Sequence, residues 1–167
     1  MVKSKTIVKQ TMTKQATETA SHSATKAAAQ EAFMPLMREL ARTYQAFTNY
    51  SDAHVRTLGL TPPQFDVIST LGNTSGMSMN KLAEKTLVTK GALTGIVDRL
   101  EKKGLVRREV PSDNRRSFTI VLTPAGEWVF EQFFPAHIAH LKQRFERLNP
   151  QELEQIHLAL KKLREIF

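Results

Sequence analysis

The chain has 167 residues, of which 41% are hydrophobic, and its net charge is +8. This length suits one domain with a substantial core. The absence of cysteine excludes disulfides, thiolate metal sites and cysteine-based redox sensing, and no apolar run approaches the ~18 residues of a membrane span. The lysine-containing N-terminus has no apolar segment behind it, so we expect a cytoplasmic protein. The positive charge favours a polyanionic partner, although a soluble protein that is simply basic has the same composition.

Residues 1–32 form a basic arm rich in Ser, Thr and Ala. Five lysines stand in its first 30 residues against one acid, Glu18. Such a segment does not bury enough apolar surface to fold alone. Three interpretations stay open: a disordered or weakly helical tail, an arm that touches DNA, and an extra helix packed on a dimer. The alanines at 27–29 favour helix.

Residues 33–60 contain a long predicted helix over 33–58. Pro35 fits its first turn and Gly59 fits the position just past its end. Its apolar residues recur at steps of three and four, which indicates one helical face: Phe33, Met37, Leu40, Tyr44 and Phe47.

Residues 61–122 read as short helices followed by a hairpin. Thr61 and Gln64 suit a capping box around Pro62, and this helix ends near Gly72. Ser78 caps a short helix, and Thr89 caps another that ends at Gly104. The latter helix has one apolar face, formed by Leu93, Ile96, Val97 and Leu100. Residues 105–110 and 118–122 are predicted strands.

Residues 123–167 form two further predicted helices. Thr123 and Pro124 open a long helix through Leu148, which Pro135 should kink. A last helix, capped by residues 149–152, carries Leu153, Ile156, Leu160 and Leu163 at near-heptad spacing. An isolated amphipathic helix needs a partner. The sequence therefore predicts a dimer in which this stripe and that of residues 33–58 form the interface.

The predicted fold is mainly α with a small β-hairpin wing, a winged helix-turn-helix inside a helical dimer. In such a motif the second helix enters the major groove by its N-terminal half. Small residues on its outer face let the backbone approach the bases, and free N–H groups at its start favour phosphate. A solvated helix face is the alternative for each residue alone. The candidate DNA-binding residues of the helices are Ser78, Thr89, Lys90, Gly91, Thr94, Gly95 and Arg99.

The hairpin adds a second group of candidates. Arg107 lies on its first strand, and Arg115 and Arg116 lie at its tip. A guanidinium on a thin loop can enter a narrow minor groove, where the potential is most negative. Asp113 is a candidate brace for Arg115, because a carboxylate in the turn can order the approach of the arginine.

The chain resembles the MarR family of bacterial regulators. The resemblance is carried by residues 89–106, by Asp113-Asn114-Arg115-Arg116 in the wing and by Leu122-Thr123-Pro124-Ala125-Gly126. It implies an obligate dimer with interlocked first and last helices, the 89–103 helix in the major groove and Arg115 in the minor groove. The family often has an acidic residue before the wing proline, where this chain has Val110. The arm is longer than in most members.

The same resemblance implies a small-molecule effector, often an aromatic acid, in a crevice between the dimer helices and the DNA-binding lobe. Candidates by position are Tyr50, His54, Phe65 and Trp128, with Arg56 or Arg42 as carboxylate partner. Core aromatics and solvated arginines are the alternative. His137 and His140 stand three residues apart, but without a third ligand we interpret them as ordinary helix residues and expect no metal.

The leading functional hypothesis is a sequence-specific repressor that holds a pseudo-palindromic operator and is released by a small ligand. Two alternatives stay open: a sequence-tolerant architectural protein that coats double-stranded DNA, and a protein-interaction module with a vestigial winged helix. No paired carboxylates, nucleophile with its base, or phosphate loop is identifiable. We therefore expect no catalysis and no cofactor.

Overall fold

A computed structural model of the chain describes residues 24–110 and 118–167. The chain divides into two compact units, residues 1–48 and residues 49–167, and the division falls inside the first long helix. In the described ranges, none of the helices combines the length and the apolar character that crossing a membrane requires.

In the first unit, residues 24–29 are helical, as the alanines there favour, and turns precede α1, Met34–Thr57. Pro35 lies in the first turn of α1, where its missing N–H has no helical partner to lose. Gly59 has a φ of +76°, which glycine adopts without strain just past the end of α1. The predicted apolar face is exposed in the single chain; it comprises Phe33, Met37, Leu40, Tyr44 and Phe47.

The second unit is built around three short helices: α2, Pro62–Leu71, α3, Met79–Lys85, and α4, Lys90–Lys102. The Gln64 side chain accepts a hydrogen bond from the Thr61 N–H at 3.1 Å, as in the predicted capping box. Ser78 caps α3 by accepting from the Lys81 N–H at 3.4 Å. The apolar faces of these helices meet in one aliphatic core, which includes Val67, Ile68, Leu71, Leu82, Leu93, Ile96, Val97 and Leu100.

A small antiparallel sheet closes this core. Its strands are β1, Met77–Ser78, β2, Val106–Glu109, and β3, Thr119–Leu122, in the order β1-β3-β2. The predicted hairpin is confirmed, with Val106 opposite Leu122, and the sequence missed β1. Two residues are too few for a period-2 pattern, so only the pairing of Met77 with Ile120 identifies this strand.

The last two helices are α5, Pro124–Phe145, and α6, Pro150–Arg164. α5 ends three residues before the predicted Leu148, because Asn149 precedes a proline and adopts extended backbone, with ψ at 165°. Pro135 does lie inside α5, and the kink stays a prediction. The capping box of α6 is confirmed: Asn149 accepts from the Glu152 N–H at 2.9 Å, and Glu152 accepts from the Asn149 N–H at 2.8 Å.

Candidate nucleic-acid interface

Helix α4 has two sharply different faces. Leu93, Ile96, Val97 and Leu100 are buried, as predicted, so the helix is anchored by its own chain. The candidate DNA-binding residues lie on the other side: Lys90, Gly91, Thr94 and Arg99 are exposed and Gly95 is half-buried. The outward face thus combines two cationic side chains, one hydroxyl and two residues without a side chain.

The two glycines on this face have no conformational reason to be glycine. Neither has a positive φ. A Cβ on Gly91 would meet nothing within 4 Å among the described residues, and one on Gly95 would reach Arg99 Nη1 at an ordinary 3.5 Å. A glycine inside a helix destabilises it by about 0.5–1 kcal/mol relative to alanine. The chain carries this cost on a face where, among the described residues, an added Cβ would meet only the end of the Arg99 side chain.

The start of α4 differs from the prediction in one detail. Thr89 occupies the capping position, with extended backbone, but in the described part of the chain its side chain makes no capping hydrogen bond. The Thr89 carbonyl accepts from the N–H groups of Ala92 and Leu93 at 2.9 and 3.1 Å. N–H groups at the start of α4 therefore lack a side-chain cap, an arrangement that suits an incoming anion.

A carboxylate of α2 holds the turn that leads into α4. Asp66 Oδ2 accepts a hydrogen bond from the backbone N–H of Leu87 at 2.7 Å. Burial raises the pKa of the Asp66 carboxyl, and the hydrogen bond from Leu87 opposes that rise. The Leu87 side chain is 89% exposed, so it does not anchor the turn by packing.

The two neighbouring arginines of β2 point to opposite faces of the strand and have different tasks. Arg107 is exposed and bonded to its own sheet: its Nη2 lies 2.6 Å from Glu109 Oε1, and its Nη1 lies 3.4 Å from the Leu122 carbonyl oxygen. A side chain on the solvent face can exchange these partners for a phosphate, since exposed ion pairs contribute about 0–1 kcal/mol.

Arg108 joins the hairpin to α4. Its guanidinium donates to Asp98 through one nitrogen and to Glu101 through another. The hydrogen bond to Asp98, with the charges of both acids, raises the pKa of Arg108 above its ordinary value. This two-pronged contact sets the hairpin relative to α4, and it was not predicted from the sequence. The available signal was the pair of acids three residues apart on α4, the spacing at which side chains share a helix face.

The tip of the hairpin lies outside the described residues, which resume at residue 118. The candidates Asp113, Arg115 and Arg116 are on this segment. Ser78, also a candidate, is exposed at the edge of the sheet, where its hydroxyl caps α3.

A cluster of aromatic and histidine side chains lies where the end of α1 meets α5. His54 and His137 share a hydrogen bond of 3.1 Å between their Nδ1 atoms, and His54 stacks on His140 with 4.2 Å between ring centroids. Tyr50 also stacks on His140, with 4.2 Å between ring centroids, and the Tyr50 hydroxyl donates to the His140 carbonyl oxygen at 3.0 Å. Phe65 of α2 meets the His137 ring edge-on at 4.8 Å. We call these five residues the histidine cluster.

The histidine cluster favours neutral rings. Burial lowers the pKa of His137, and the neighbouring His54 and His140 lower it further, against an opposing effect of Asp52. Burial also lowers the pKa of His54, with a second contribution from His140. One ring of the His54–His137 pair must donate and the other accept, so a proton on both would break this bond.

Three of the six candidate ligand residues meet in the histidine cluster, namely Tyr50, His54 and Phe65. Trp128 is exposed on α5, with its ring 6.4 Å from that of Phe133. Arg56 pairs with Asp52 at 3.7 Å, and Arg42, in the first unit, lies 3.9 Å from Glu39. The arginine at the cluster is instead Arg144, whose Cζ is 4.7 Å from the Tyr50 ring centroid. Sequence separation hid this grouping.

The histidines of the cluster lie at the junction between α1 and α5. In residues 24–110 and 118–167, no group of three or more His, Cys, Asp or Glu side chains is arranged to hold a metal ion. His137 and His140 are thus part of the junction between α1 and α5, where His137 also contacts Ser51, with 3.3 Å between its Nε2 and Ser51 Oγ.

Comparisons of the sequence point to one class of regulator. The MarR family profile matches residues 60–118, which span α2 to the hairpin. The chain is 28% identical to the HTH-type transcriptional regulator MhqR of Bacillus subtilis over 134 residues, which cover 80% of this chain and 92% of MhqR. It is 31% identical to an HTH-type transcriptional regulator of Bacillus cereus over 114 residues, covering 66% of this chain and 76% of that protein.

Solved structures resemble the fold closely. AbsC, a MarR family transcriptional regulator of Streptomyces coelicolor, has a TM-score of 0.73 at 28% identity and covers 81% of this chain and 93% of its own. A mutant of Escherichia coli MarR in complex with operator DNA has a TM-score of 0.71 at 25% identity, and the match covers 80% of this chain and 98% of that protein. BpsR of Bordetella bronchiseptica, whose DNA binding is regulated by 6-hydroxynicotinic acid, has a TM-score of 0.70 at 24% identity. The match covers 81% of this chain and 94% of BpsR.

Proposed function

The chain belongs to the MarR family of DNA-binding transcriptional regulators, and we propose that it is a homodimeric repressor of a pseudo-palindromic operator that a small acid releases. In this proposal residues 61–122 bind DNA, residues 33–60 and 123–167 join two chains, and residues 1–32 add a basic arm. Acting on bacterial chromosomal DNA, it works in the cytoplasm.

The outward face of α4 is the observation that carries the DNA-binding part of the proposal. Gly91 and Gly95 leave the backbone of α4 open to a close partner, while Thr89 and Lys90 offer an uncapped helix start and a cation. The major groove admits one α-helix and favours such a start, because phosphates lie along its edges. Thr94, between the glycines, is then placed to read a base edge or a thymine methyl group.

Exposed apolar stripes support the dimer. None of the residues of α6, all within the described ranges, is buried, and Leu153, Ile156 and Leu160 are 38–50% exposed. In the first unit, Phe33, Met37 and Leu40 of the apolar face are exposed as well. Exposed stripes of this extent mark protein interfaces. A second copy of the chain covers both and sets two α4 helices about one DNA turn apart.

Footprinting on the DNA upstream of the chain's own gene tests the repressor. We expect protection of one discrete site with two half-sites about 10 base pairs apart, and lower transcription from that promoter when the protein is added. The alternative, an architectural DNA-coating protein, protects the whole fragment at similar protein concentrations. An interaction module without DNA affinity protects nothing at moderate salt.

The histidine cluster is our proposed effector site. It contains the aromatic rings of Tyr50 and Phe65, the Arg144 guanidinium beside the Tyr50 ring and one unused polar atom: His140 Nε2 is buried without a hydrogen-bond partner among the described residues. A flat ring bearing a carboxylate matches these features, because rings stack on aromatic faces and a carboxylate pairs with a guanidinium. The regulation of BpsR by 6-hydroxynicotinic acid supports this class of ligand.

A thermal-shift titration tests the effector site. We expect benzoate or 6-hydroxynicotinate to raise the melting temperature and to release the footprinted DNA, and we expect benzyl alcohol, which lacks the carboxylate, to do neither. Arg144→Gln should abolish the shift. Arg147→Gln is the matched control, because it removes an exposed arginine beyond the end of α5. An equal shift in both variants would contradict the site.

A further inference from the structure

The connector between α3 and α4 determines where α4, the helix proposed to face DNA, begins, and few contacts hold this connector in place. It comprises residues 86–89. Thr86, at its start, is buried and its hydroxyl donates to the Leu82 carbonyl at 2.8 Å, and Val88 packs against the core. Leu87 stands between them with its side chain in solvent. What holds Leu87 is therefore its backbone, through the 2.7 Å hydrogen bond to Asp66 Oδ2.

This hydrogen bond acts close to the start of α4. Leu87 stands two residues before Thr89, the N-cap residue of α4. Lys90 and Gly91 are the first two residues of the helix. Because the Thr89 side chain makes no capping bond in the described structure, the first turn of α4 inherits its position from the connector. A shift of the connector moves the uncapped N–H groups and the Lys90 side chain relative to a phosphate.

The charge of Asp66 works against DNA. The Asp66 side chain is only half-buried, in the same lobe as α4. A carboxylate near phosphates repels them, and its partial burial costs hydration, which the raised pKa of Asp66 reflects. These two costs are offset by a favourable contact of the Asp66 side chain, the hydrogen bond that it accepts from the Leu87 N–H.

We propose that Asp66 is a positioning residue for DNA binding: as acceptor for the Leu87 N–H it fixes the connector and hence the start of α4, and its negative charge is not required. The inference rests on the proposed use of α4 as the DNA-contacting helix. It separates two properties of one side chain, acceptor and charge, which Asp66→Ala removes together and Asp66→Asn does not.

Fluorescence anisotropy with a duplex that the wild-type protein selects from a random-sequence library tests the proposal. We expect Asp66→Ala to bind this duplex about tenfold more weakly, the scale of one lost hydrogen bond to a charged group. Asp66→Asn keeps an oxygen acceptor and should bind within about twofold of wild type or more tightly. Glu84→Ala is the control, because Glu84 is an exposed acid of α3, and its loss should leave affinity unchanged or slightly raised.

Two outcomes would overturn the proposal: an Asp66→Ala protein that binds as tightly as wild type, or an Asp66→Asn protein that binds as weakly as Asp66→Ala. Amide hydrogen exchange adds a readout independent of folding yield. The Leu87 amide should be protected in the wild type and in Asp66→Asn, and a freely exchanging wild-type amide would refute the contact. A wild-type protein that selects no duplex would contradict the proposed function, whereas the Leu87 exchange rate would still test the hydrogen bond.

Discussion

The lobe that we propose binds DNA, residues 61–122, and the C-terminal helix α6 use the same sequence pattern with opposite results. In α4, apolar residues at helical spacing are all buried within one chain, whereas in α6 the comparable residues Leu153, Ile156 and Leu160 stay exposed. The core that buries this face of α4 is formed within one chain, by residues of the lobe together with Val55, Leu60, Val129 and Phe130. The apolar stripe of α6 is uncovered in the single chain, as its proposed role in the dimer requires.

Placing a charge on the α6 stripe should give the largest effect. Ile156→Glu introduces a residue that favours helix, so α6 should still form. The new carboxylate would be buried in the proposed interface, and burying an unpaired charge costs several kcal/mol. We expect monomers in analytical ultracentrifugation and a loss of operator affinity of about 100-fold or more, since one half-site is given up. Gln155→Glu, off the stripe on the same helix, is the control and should stay dimeric. A dimeric Ile156→Glu protein would show that α6 is not the interface.

Removing the wing arginine should give the next largest effect. We expect Arg115→Ala to weaken binding to all duplexes by about 1–3 kcal/mol, because a minor-groove guanidinium contributes affinity from charge. Thr94→Ala should instead change which base is preferred at one position. Competition assays with operator and random duplexes check this division, and equal losses on both duplexes for both variants would rule it out.

The glycine face of α4 should respond with opposite signs in two assays. Gly95→Ala should stabilise the lobe by about 0.5–1 kcal/mol, because the helix loses a flexible residue and the new Cβ has room beside Arg99. It should weaken operator binding by about 1 kcal/mol or more, since the methyl group then stands between backbone and bases. Urea unfolding measures the change in stability, and fluorescence anisotropy measures the change in operator affinity. An unchanged affinity would show that this face of α4 does not contact DNA.

The smallest expected effect is on pH dependence, and it contrasts the titratable histidine cluster with the hydrophobic core. The folded-state pKa values of His54 and His137 lie below the unfolded value of 6.5. The unfolded chain therefore binds protons that the folded cluster resists, and stability falls as pH drops from 6.5 towards the lowered values. Well above pH 6.5, His54 and His137 are neutral in both states, so these two rings add no pH dependence there.

Urea unfolding at pH 7.5 and 5.5 measures this loss of stability. His54→Gln should show a smaller loss than wild type, because one resisting ring is gone. His157→Gln, an exposed histidine of α6, should behave like wild type. A wild-type protein that gains stability on acidification would contradict the direction of both pKa shifts.

The local signals in the sequence were reliable at most positions where neighbours along the chain decide the structure, although the Thr89 side chain makes no capping hydrogen bond among the described residues. Asn149 and Glu152 stand three residues apart and cap α6 as expected, and the i, i+3, i+4 spacing identified the buried face of α4. β1 was missed because two residues carry no periodicity. The partners of Arg108 were missed because they depend on which face of β2 turns towards α4.

The sequence by itself determined the order of the long and short helices and of the two hairpin strands, the buried face of α4 and the glycine-bearing surface opposite, because capping residues and hydrophobic period act within a few residues. Only the tertiary structure decided that His54 meets His137 and His140 more than 80 residues away, that Asp66 holds the Leu87 amide, and that α6 remains uncovered. Such contacts depend on how separate helices pack, and no local pattern encodes the distance between side chains on different elements.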